Sequence, residues 1–409
     1  MAKIIPFKAV RPTRDKVSLV ASRSYQTYTQ AEREARLDYN PFSFLHIVNP
    51  GYKYDQEVTG VERYTLVRNR YLEFKEDNIF VQDASASYYI YKIVNREGFE
   101  FNGIIAAAST KDYENNIIKK HEDTLLMKEH VFKDYLKTVG FNAEPVLLTY
   151  PDNQIISQII EDVQKERAEF EFTTTYRDTH YLWLLKDQKA ISKIQNEFES
   201  MQNIYIADGH HRSASSFLLS QDMQSESETN KNYNYFMSYL LPESAIRILS
   251  YTRLVRDLRG HTKTSFNLKL SEMFIVEELG DEGWQPEERH EFCMYIDHNF
   301  HSLRLRKEFR EFETPLDSLD SQILYSRVLK PVLGISNLKN DQRLAYGYGE
   351  ASLTAMKDRV DSGEFAVGFS MAPASASQIK SIADAELVMP PKSTYIEPKL
   401  RSGLTIYEF

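Results

Sequence analysis

Ile204-Tyr205-Ile206-Ala207-Asp208-Gly209-His210-His211-Arg212-Ser213-Ala214 is an apolar, β-branched run that ends in Asp-Gly and restarts in a polar, helical pattern. Ile204 and Ile206, with turn residues behind them, favour a strand. Gly209 can take the positive φ that a sharp strand-to-helix turn often needs. Ala214, Phe217 and Leu218 then fall at the spacing of one buried helix face, so the helix starts near His210. Its first N–H groups have no carbonyl within the helix to bond, and the helix dipole is positive there. Arg212 adds a planar fork of donors to the same turn, and Ser213 a hydroxyl. The stretch therefore reads as an anion site built from Gly209, His210, His211, Arg212 and Ser213, with phosphate as the best-matched anion. In the plainer alternative Asp208 only caps the helix and the histidines are solvated, but that leaves many costly groups packed into one turn.

Working outward, Lys120-His121-Glu122-Asp123-Thr124 precedes a helical pattern with Phe132, Tyr135, Leu136 and Val139 on one face and Gly140 as its C-terminal cap. Glu144-Pro145-Val146-Leu147-Leu148-Thr149-Tyr150 follows as an apolar strand. Thr29-Gln30-Ala31-Glu32 is a capping box that opens a helix, and Asn40-Pro41 closes it. The stretch from Gln56 to Lys75 reads as a surface helix. Tyr88 to Val94 and Phe99 to Ile105 read as a hairpin through Asn95-Arg96-Glu97-Gly98. Residues 154–165 look helical and 170–175 extended. The polar run from Ser220 to Asn230 reads as a loop beside the anion site, either closing over ligand or idle at the surface.

The rest of the chain alternates elements of both kinds: a hairpin from Glu291–Ile296 and Phe300–Arg306, helices over 316–329, 351–360 and 377–385, and a strand over 365–371. The fold class is α+β. We divide the chain into an N-terminal α/β region over 1–105, a module over 106–258 that holds both motifs, and a C-terminal α+β domain over 259–409 with the Met389-Pro390-Pro391-Lys392-Ser393-Thr394 tail. No stretch rich in Pro, Gly or Ser separates the last two.

A second group of cations and hydroxyls, Lys392, Ser393, Lys399 and Arg401, is stiffened by Pro390 and Pro391 and could reach an anionic substrate group. Equally, these residues could be the solvated edge of a terminal strand over 404–407. His180 and Trp183 read as packing residues.

At 409 residues the chain can bury a large core, and a net charge of −9 speaks against a general nucleic-acid binder. The single cysteine, Cys293, excludes an intramolecular disulfide and fits a reducing compartment, which with no long apolar segment and no signal-peptide pattern points to the cytoplasm. A homodimer is compatible with these features. Adjacent histidines on a helix point about 100° apart and rarely share one metal, so zinc is not expected. Gly-Lys-Ser and Gly-Lys-Thr are absent, so any nucleotide must use the Asp-Gly-His-His-Arg turn.

The ADGHHR string resembles the phosphate-binding motif of the ParB/sulfiredoxin superfamily, whose nucleotide-using members include the free L-serine kinases. A resemblance over nearly the whole chain is to the family filed as domain of unknown function 1015. It is carried by Ile4-Ile5-Pro6-Phe7, His121-Glu122-Asp123-Thr124, His180-Tyr181-Leu182-Trp183, the ADGHHR string and Met389-Pro390-Pro391-Lys392-Ser393-Thr394-Tyr395. The resemblance implies a ParB/sulfiredoxin-like module that uses ATP or ADP with Mg²⁺ to phosphorylate free L-serine or a similar small hydroxylated metabolite. In that reading Glu122 matches the carboxylate base and His121 positions substrate or tunes Glu122. Asp208 orients an imidazole or holds Mg²⁺ through water. Arg253 matches a family position just after the module. From the residues alone, Glu122 reads first as an exposed helix-entry charge pairing with Lys119 or Lys120, and the resemblance reverses that reading. One departure stands out: the family's Pro-Tyr-Asp is Ser24-Tyr25-Gln26 here, which removes a carboxylate and keeps open a nucleotide-binding regulatory role without rapid turnover. Hydrolysis of phosphoserine would use the same anion site.

Overall fold

Tyr88–Val94 (β2) and Glu100–Ser109 (β3) close as an antiparallel hairpin, with Tyr89 opposite Ile105 and Val94 opposite Glu100. Its turn is held by Asn95, whose Oδ1 accepts from the Glu97 and Phe99 amides at 3.0 and 2.9 Å. The computed structural model describes residues 1–52, 58–224, 231–348 and 352–409. The start of the expected helix at Gln56 lies outside the described residues.

The chain divides into two units: residues 1–120, 124–246 and 398–409 form the first, residues 121–123 and 247–397 the second. This differs from the sequence division. The expected boundary at 105/106 falls inside β3, and a strand hydrogen-bonded on both sides cannot separate domains. The last residues, 398–409, join the first unit, not a C-terminal domain.

The first unit is built on a nine-stranded mixed sheet. Besides β2 and β3 it contains Ile4–Ile5 (β1), Ile118–Lys119 (β4), Val146–Tyr150 (β5), Phe170–Thr173 (β6), Thr179–Leu185 (β7), Ile204–Asp208 (β8) and Tyr235–Pro242 (β9). The order is β6-β7-β2-β3-β9-β5-β8-β4, with β1 pairing β3. Its helices include Gln30–Tyr39 (α1), Gly60–Glu76 (α2), Leu126–Val139 (α3), Gln154–Gln164 (α4), Gln188–Ser200 (α5) and His210–Gln224 (α6). α1 opens on the reciprocal Thr29/Glu32 capping box, and α3 ends on Gly140 at φ 81°. Ile156 and Ile160 of α4 pack with Ile191, Ile194 and Phe198 of α5 against Ile90, Ile104, Leu148 and Ile206 in one core. The sheet's centre is apolar on both faces, since Ala106, Ala107 and Ala108 are all fully buried.

The polar stretch expected as a loop from Ser220 is helical through Gln224, with the Ser220 hydroxyl turned back to the Phe217 carbonyl at 2.7 Å inside the helix. Residues 225–230 of that stretch lie outside the described residues. The expected terminal strand is shorter: Tyr407–Glu408 pairs with Phe141–Asn142, and Arg401–Ser402 pairs with Ser22–Arg23.

The second unit carries a six-stranded sheet of Thr252–Val255 (β10), Phe274–Gly280 (β11), Glu291–Ile296 (β12), Asn299–Leu305 (β13), Leu344–Gly347 (β14) and Val367–Met371 (β15), in the order β11-β13-β12-β15-β10-β14. Lys263–Ser271 (α7), Ser352–Asp361 (α8) and Ala376–Asp384 (α9) accompany it. The helix expected over 316–329 begins at Asp320 and becomes a π turn over Tyr325–Leu329. Thr314 and Asp317 make their own turn first, each backbone amide donating to the other's side chain at 3.2 Å.

Candidate functional site

β8 is buried up to Ala207 and lies between β5, antiparallel, and β4, parallel. Its register slips by one residue between Ile206 and Asp208, a bulge that ends regular pairing one residue before Gly209. Gly209 has φ +100°, a region closed to most side chains, and α6 begins at the next residue. The Ser213 amide makes the bond to the Gly209 carbonyl, 3.0 Å, so the amides of the first turn lie ahead of the helix's own bonding ladder. No acidic residue occupies that first turn. His210 is buried and His211 half-buried. This is the strand–glycine–helix turn expected from sequence, and its field and donors suit an anion.

Arg212 is placed differently from the expectation that it offers its fork outward. Nη1 donates to the Pro145 carbonyl at 2.6 Å and pairs with Glu144 Oε1 at 2.8 Å, while Nη2 pairs with Asp208 Oδ2 at 3.1 Å. The guanidinium lies under Gly209, where a Cβ would come within 3.0 Å of its Nε. Arg212 thus braces the turn, tying the start of α6 to the residues before β5. Lys399 Nζ stands 3.5 Å from Asp208 Oδ1, and Ser402 donates to Glu144 Oε2 at 3.1 Å. Two cations and two carboxylates therefore meet beside the turn, and the amides of the first helical turn add donors suited to an anion.

Ser213 is a correction. It is fully buried, and its hydroxyl turns back to the His210 carbonyl at 3.0 Å, as the Ser215 and Ser216 hydroxyls turn to His211 and Arg212. With hydroxyl and amide both used inside the helix, it is not a phosphate ligand.

Asp208 is engaged on both carboxylate oxygens. Its two oxygens face Arg212 and Lys399, and among the described residues no group of three or more His, Cys, Asp or Glu could hold a metal.

His121-Glu122-Asp123 follows β4 after Lys120 and is grouped with the second unit. His121 is buried and its carbonyl accepts from the Met389 amide at 2.9 Å; Glu122 is exposed; Asp123 pairs with Lys339 at 3.5 Å.

The C-terminal cations expected together are divided between units. In the second, Arg253 is buried beneath Lys392: its Nη1 donates to the Tyr251 carbonyl at 3.0 Å and its Nη2 to the Lys392 carbonyl at 3.2 Å, and burial pushes the guanidinium down to about 10. Lys392 lies over the Tyr251 ring, and Ser393 is buried against Ser321, Oγ to Oγ 2.7 Å. Lys399 and Arg401 belong to the first unit. Arg401 is buried and pairs with Asp178 at 3.1 Å. His180 packs as expected, stacked on Phe172 and bonded to the Tyr91 hydroxyl at 2.8 Å, with burial and then Arg401 pushing its imidazole down to about 3. Trp183 donates to the Glu166 carbonyl at 2.9 Å. Sequence reading missed Glu144 and Pro145 as parts of the site. A carboxylate followed by proline just before the strand neighbouring the motif was the one available signal.

A large mixed sheet with helices, and an anion-suited turn at the end of one of its strands, defines an α+β protein with a candidate phosphate site. The family described as protein of unknown function (DUF1015) matches residues 4–322, and the chain belongs to that family. No curated protein matches it. Among solved structures it is similar to a free serine kinase variant in complex with AMP, at 11% identity and TM-score 0.36, covering 74% of this chain and 92% of that one. SbnI with a C-terminal truncation from Staphylococcus aureus is similar at 11% identity and TM-score 0.39, covering 73% and 85%. A conserved hypothetical protein from Pyrococcus furiosus is similar at 12% identity and TM-score 0.34, covering 73% and 91%. No helix among the described residues is long and apolar enough to cross a membrane.

Proposed function

We propose that the chain is a nucleotide-dependent phosphotransferase acting on free L-serine or a similar small hydroxylated metabolite. The observation that carries this is the turn itself: a bulged strand end, Gly209 at φ +100° and a helix starting at His210 with no acidic residue in its first turn. In this reading the module is ParB/sulfiredoxin-like, as the ADGHHR resemblance implies, and the turn holds the phosphates of ATP or ADP through the α6 amides, His210 and His211.

Phosphoryl transfer asks the protein mainly for positioning and charge stabilisation. Arg212 supplies rigidity by clamping Glu144, Pro145 and Asp208. Glu122 is the proposed base: it takes the proton of the acceptor hydroxyl as the oxygen bonds to the terminal phosphorus and the bond to the departing nucleotide breaks. Mg²⁺ would accompany the nucleotide's phosphates and neutralise their charge, with Asp208 as the nearest carboxylate to hold it through water.

Incubating the protein with serine and each of ATP and ADP, and measuring phosphoserine, tests this. The absence of phosphoserine with both donors overturns it. The loss of a carboxylate at Gln26 favours a second reading, nucleotide binding without rapid turnover; calorimetry showing tight nucleotide binding unaffected by Glu122→Gln, alongside no turnover, selects it. Phosphoserine hydrolysis, which would run at the same site, is separated by a phosphate-release assay.

A further inference from the structure

The first unit gathers a second set of cations around Tyr176. Arg401 stands directly opposite Arg23 in the short antiparallel pair Arg401–Ser402 with Ser22–Arg23. Like charges placed opposite each other across strands destabilise a pair, so this register needs a compensating group. Both guanidiniums face the ring of Tyr176, Arg23 at 4.5 Å and Arg401 at 6.0 Å from its centroid, and Arg36 of α1 approaches the same ring at 5.5 Å. Arg33, one turn earlier on α1, covers Tyr25 at 4.6 Å.

Compensation from carboxylates is incomplete. Asp178 pairs with Arg401, and Glu32, bonded to the Thr29 amide at 2.8 Å and the Tyr176 hydroxyl at 3.1 Å, adds Coulomb attraction to Arg23 without an ion pair. Among the described residues Arg23, Arg33 and Arg36 make no ion pair; Arg36 has only the Thr175 hydroxyl, at 2.8 Å, as a hydrogen-bond acceptor. Arg401 is 5% exposed, and its buried Nε has no acceptor at all. A guanidinium held in a protein interior with a donor unused is costly unless something else takes it. Aromatic faces hold the planes of these groups and leave their N–H edges to bond, the geometry in which guanidiniums take two-oxygen anions.

We propose that Arg23, Arg36 and Arg401, gathered on Tyr176, form a receptor for the oxyanion of a small molecule, a carboxylate or a phosphate monoester. The receptor stands without the phosphotransferase reading, because it uses neither the Gly209 turn nor Glu122.

Calorimetric titration of the full chain with inorganic phosphate and, separately, with malonate tests it. Wild type takes up at least one probe saturably, and the tighter probe identifies the oxyanion class. Arg23→Gln/Arg36→Gln lowers that affinity roughly tenfold or more for each guanidinium removed, while Gly209→Ala leaves it in place. Arg36→Lys keeps the charge and the alkyl stem but loses the planar fork; it is expected to bind between wild type and the double variant, and it remains informative if the double variant does not fold. Failure of wild type to take up either probe overturns the receptor. So does a folded double variant, or Arg36→Lys, that binds as wild type does.

Discussion

Replacing Gly209 by alanine isolates what the turn demands of its backbone. At φ +100° a residue with a Cβ is strained, at about 1–3 kcal/mol. The new methyl would also lie 3.0 Å from Arg212 Nε and 3.1 Å from Cζ. A free arginine would swing away, but this one is held by the Pro145 carbonyl, Glu144 and Asp208. Retreat therefore sacrifices at least one charge-assisted bond, about 1.5–3 kcal/mol before solvent screening of a partly exposed group, so we expect a total near 3 kcal/mol. Gly98→Ala is the control, because Gly98 has φ +86° with nothing within 4 Å of a Cβ and so carries the backbone cost alone. The two units each contain one tryptophan, Trp183 in the first and Trp284 in the second. Urea unfolding followed by Trp183 fluorescence in a Trp284→Phe background reads the first unit directly. Gly209→Ala should cost more than Gly98→Ala by roughly the value of the lost bond and weaken nucleotide binding about tenfold or more. Equal costs at the two glycines, with nucleotide affinity intact, would refute both the clamp and its service to the turn.

Other perturbations separate the remaining roles. Glu122→Gln should abolish phosphoserine formation in a coupled assay while leaving calorimetric nucleotide affinity within about twofold; a retained rate removes Glu122 as the base. Glu144→Gln deletes one of the two carboxylates that hold Arg212, so the brace loosens and nucleotide should bind several-fold more weakly; an unchanged or tighter affinity would mean that Glu144 acts as a competing charge and not as a brace. Asp320, buried in the second unit and accepting from the His290 amide at 2.9 Å, is pushed by burial from 3.8 up to about 7. Between those values the folded chain keeps a proton that the unfolded chain has lost, so stability falls as pH rises through the window, by about 1.4 kcal/mol per pH unit and at most about 4 kcal/mol in all. Asp320→Asn should remove that slope and raise stability above pH 7, read from Trp284 in a Trp183→Phe background. An unchanged slope from pH 4 to 7 would count against it.

Local elements were readable where the signal is a side chain acting on its own backbone. The Thr29/Glu32 box, the Asn95 turn, Gly140 and the Asp208-Gly209 break each act within a few residues, and each is where the pattern puts it. What could not be read depends on partners distant in sequence. Arg212 finds its acceptor on Pro145, 67 residues away, and Lys399 finds Asp208 across 191. Propensity and spacing describe what a residue can offer, and Arg212 offers the same fork whether it faces a phosphate or two carboxylates. The split of Lys392 from Lys399 has the same origin: seven residues of chain carry no mark of where it returns to the first unit. Ser213 misled for a related reason, since a hydroxyl on the first turn of a helix reads equally as a ligand or as a bond to the carbonyl one turn back.

Net charge misleads in the same way when it is applied to a small ligand. A value of −9 bears on long polyanions, whose affinity sums over many contacts, but screening at physiological salt limits a small oxyanion to charges within about 8 Å. At that range the two anion sites differ in kind. Around Gly209, Arg212 and Lys399 face Glu144 and Asp208, so binding there leans on oriented amides, whose hydrogen bonds salt weakens little. Around Tyr176, Arg23, Arg33 and Arg36 have no carboxylate in ion-pair range among the described residues, so binding there is carried by unbalanced charge. Raising ionic strength from low to physiological should therefore weaken malonate at the Tyr176 cluster clearly more than it weakens AMP at the turn, and Arg23→Gln/Arg36→Gln should flatten the steeper dependence. A slope for the oxyanion probe that is unchanged by the double substitution would show that its charge is being read somewhere else.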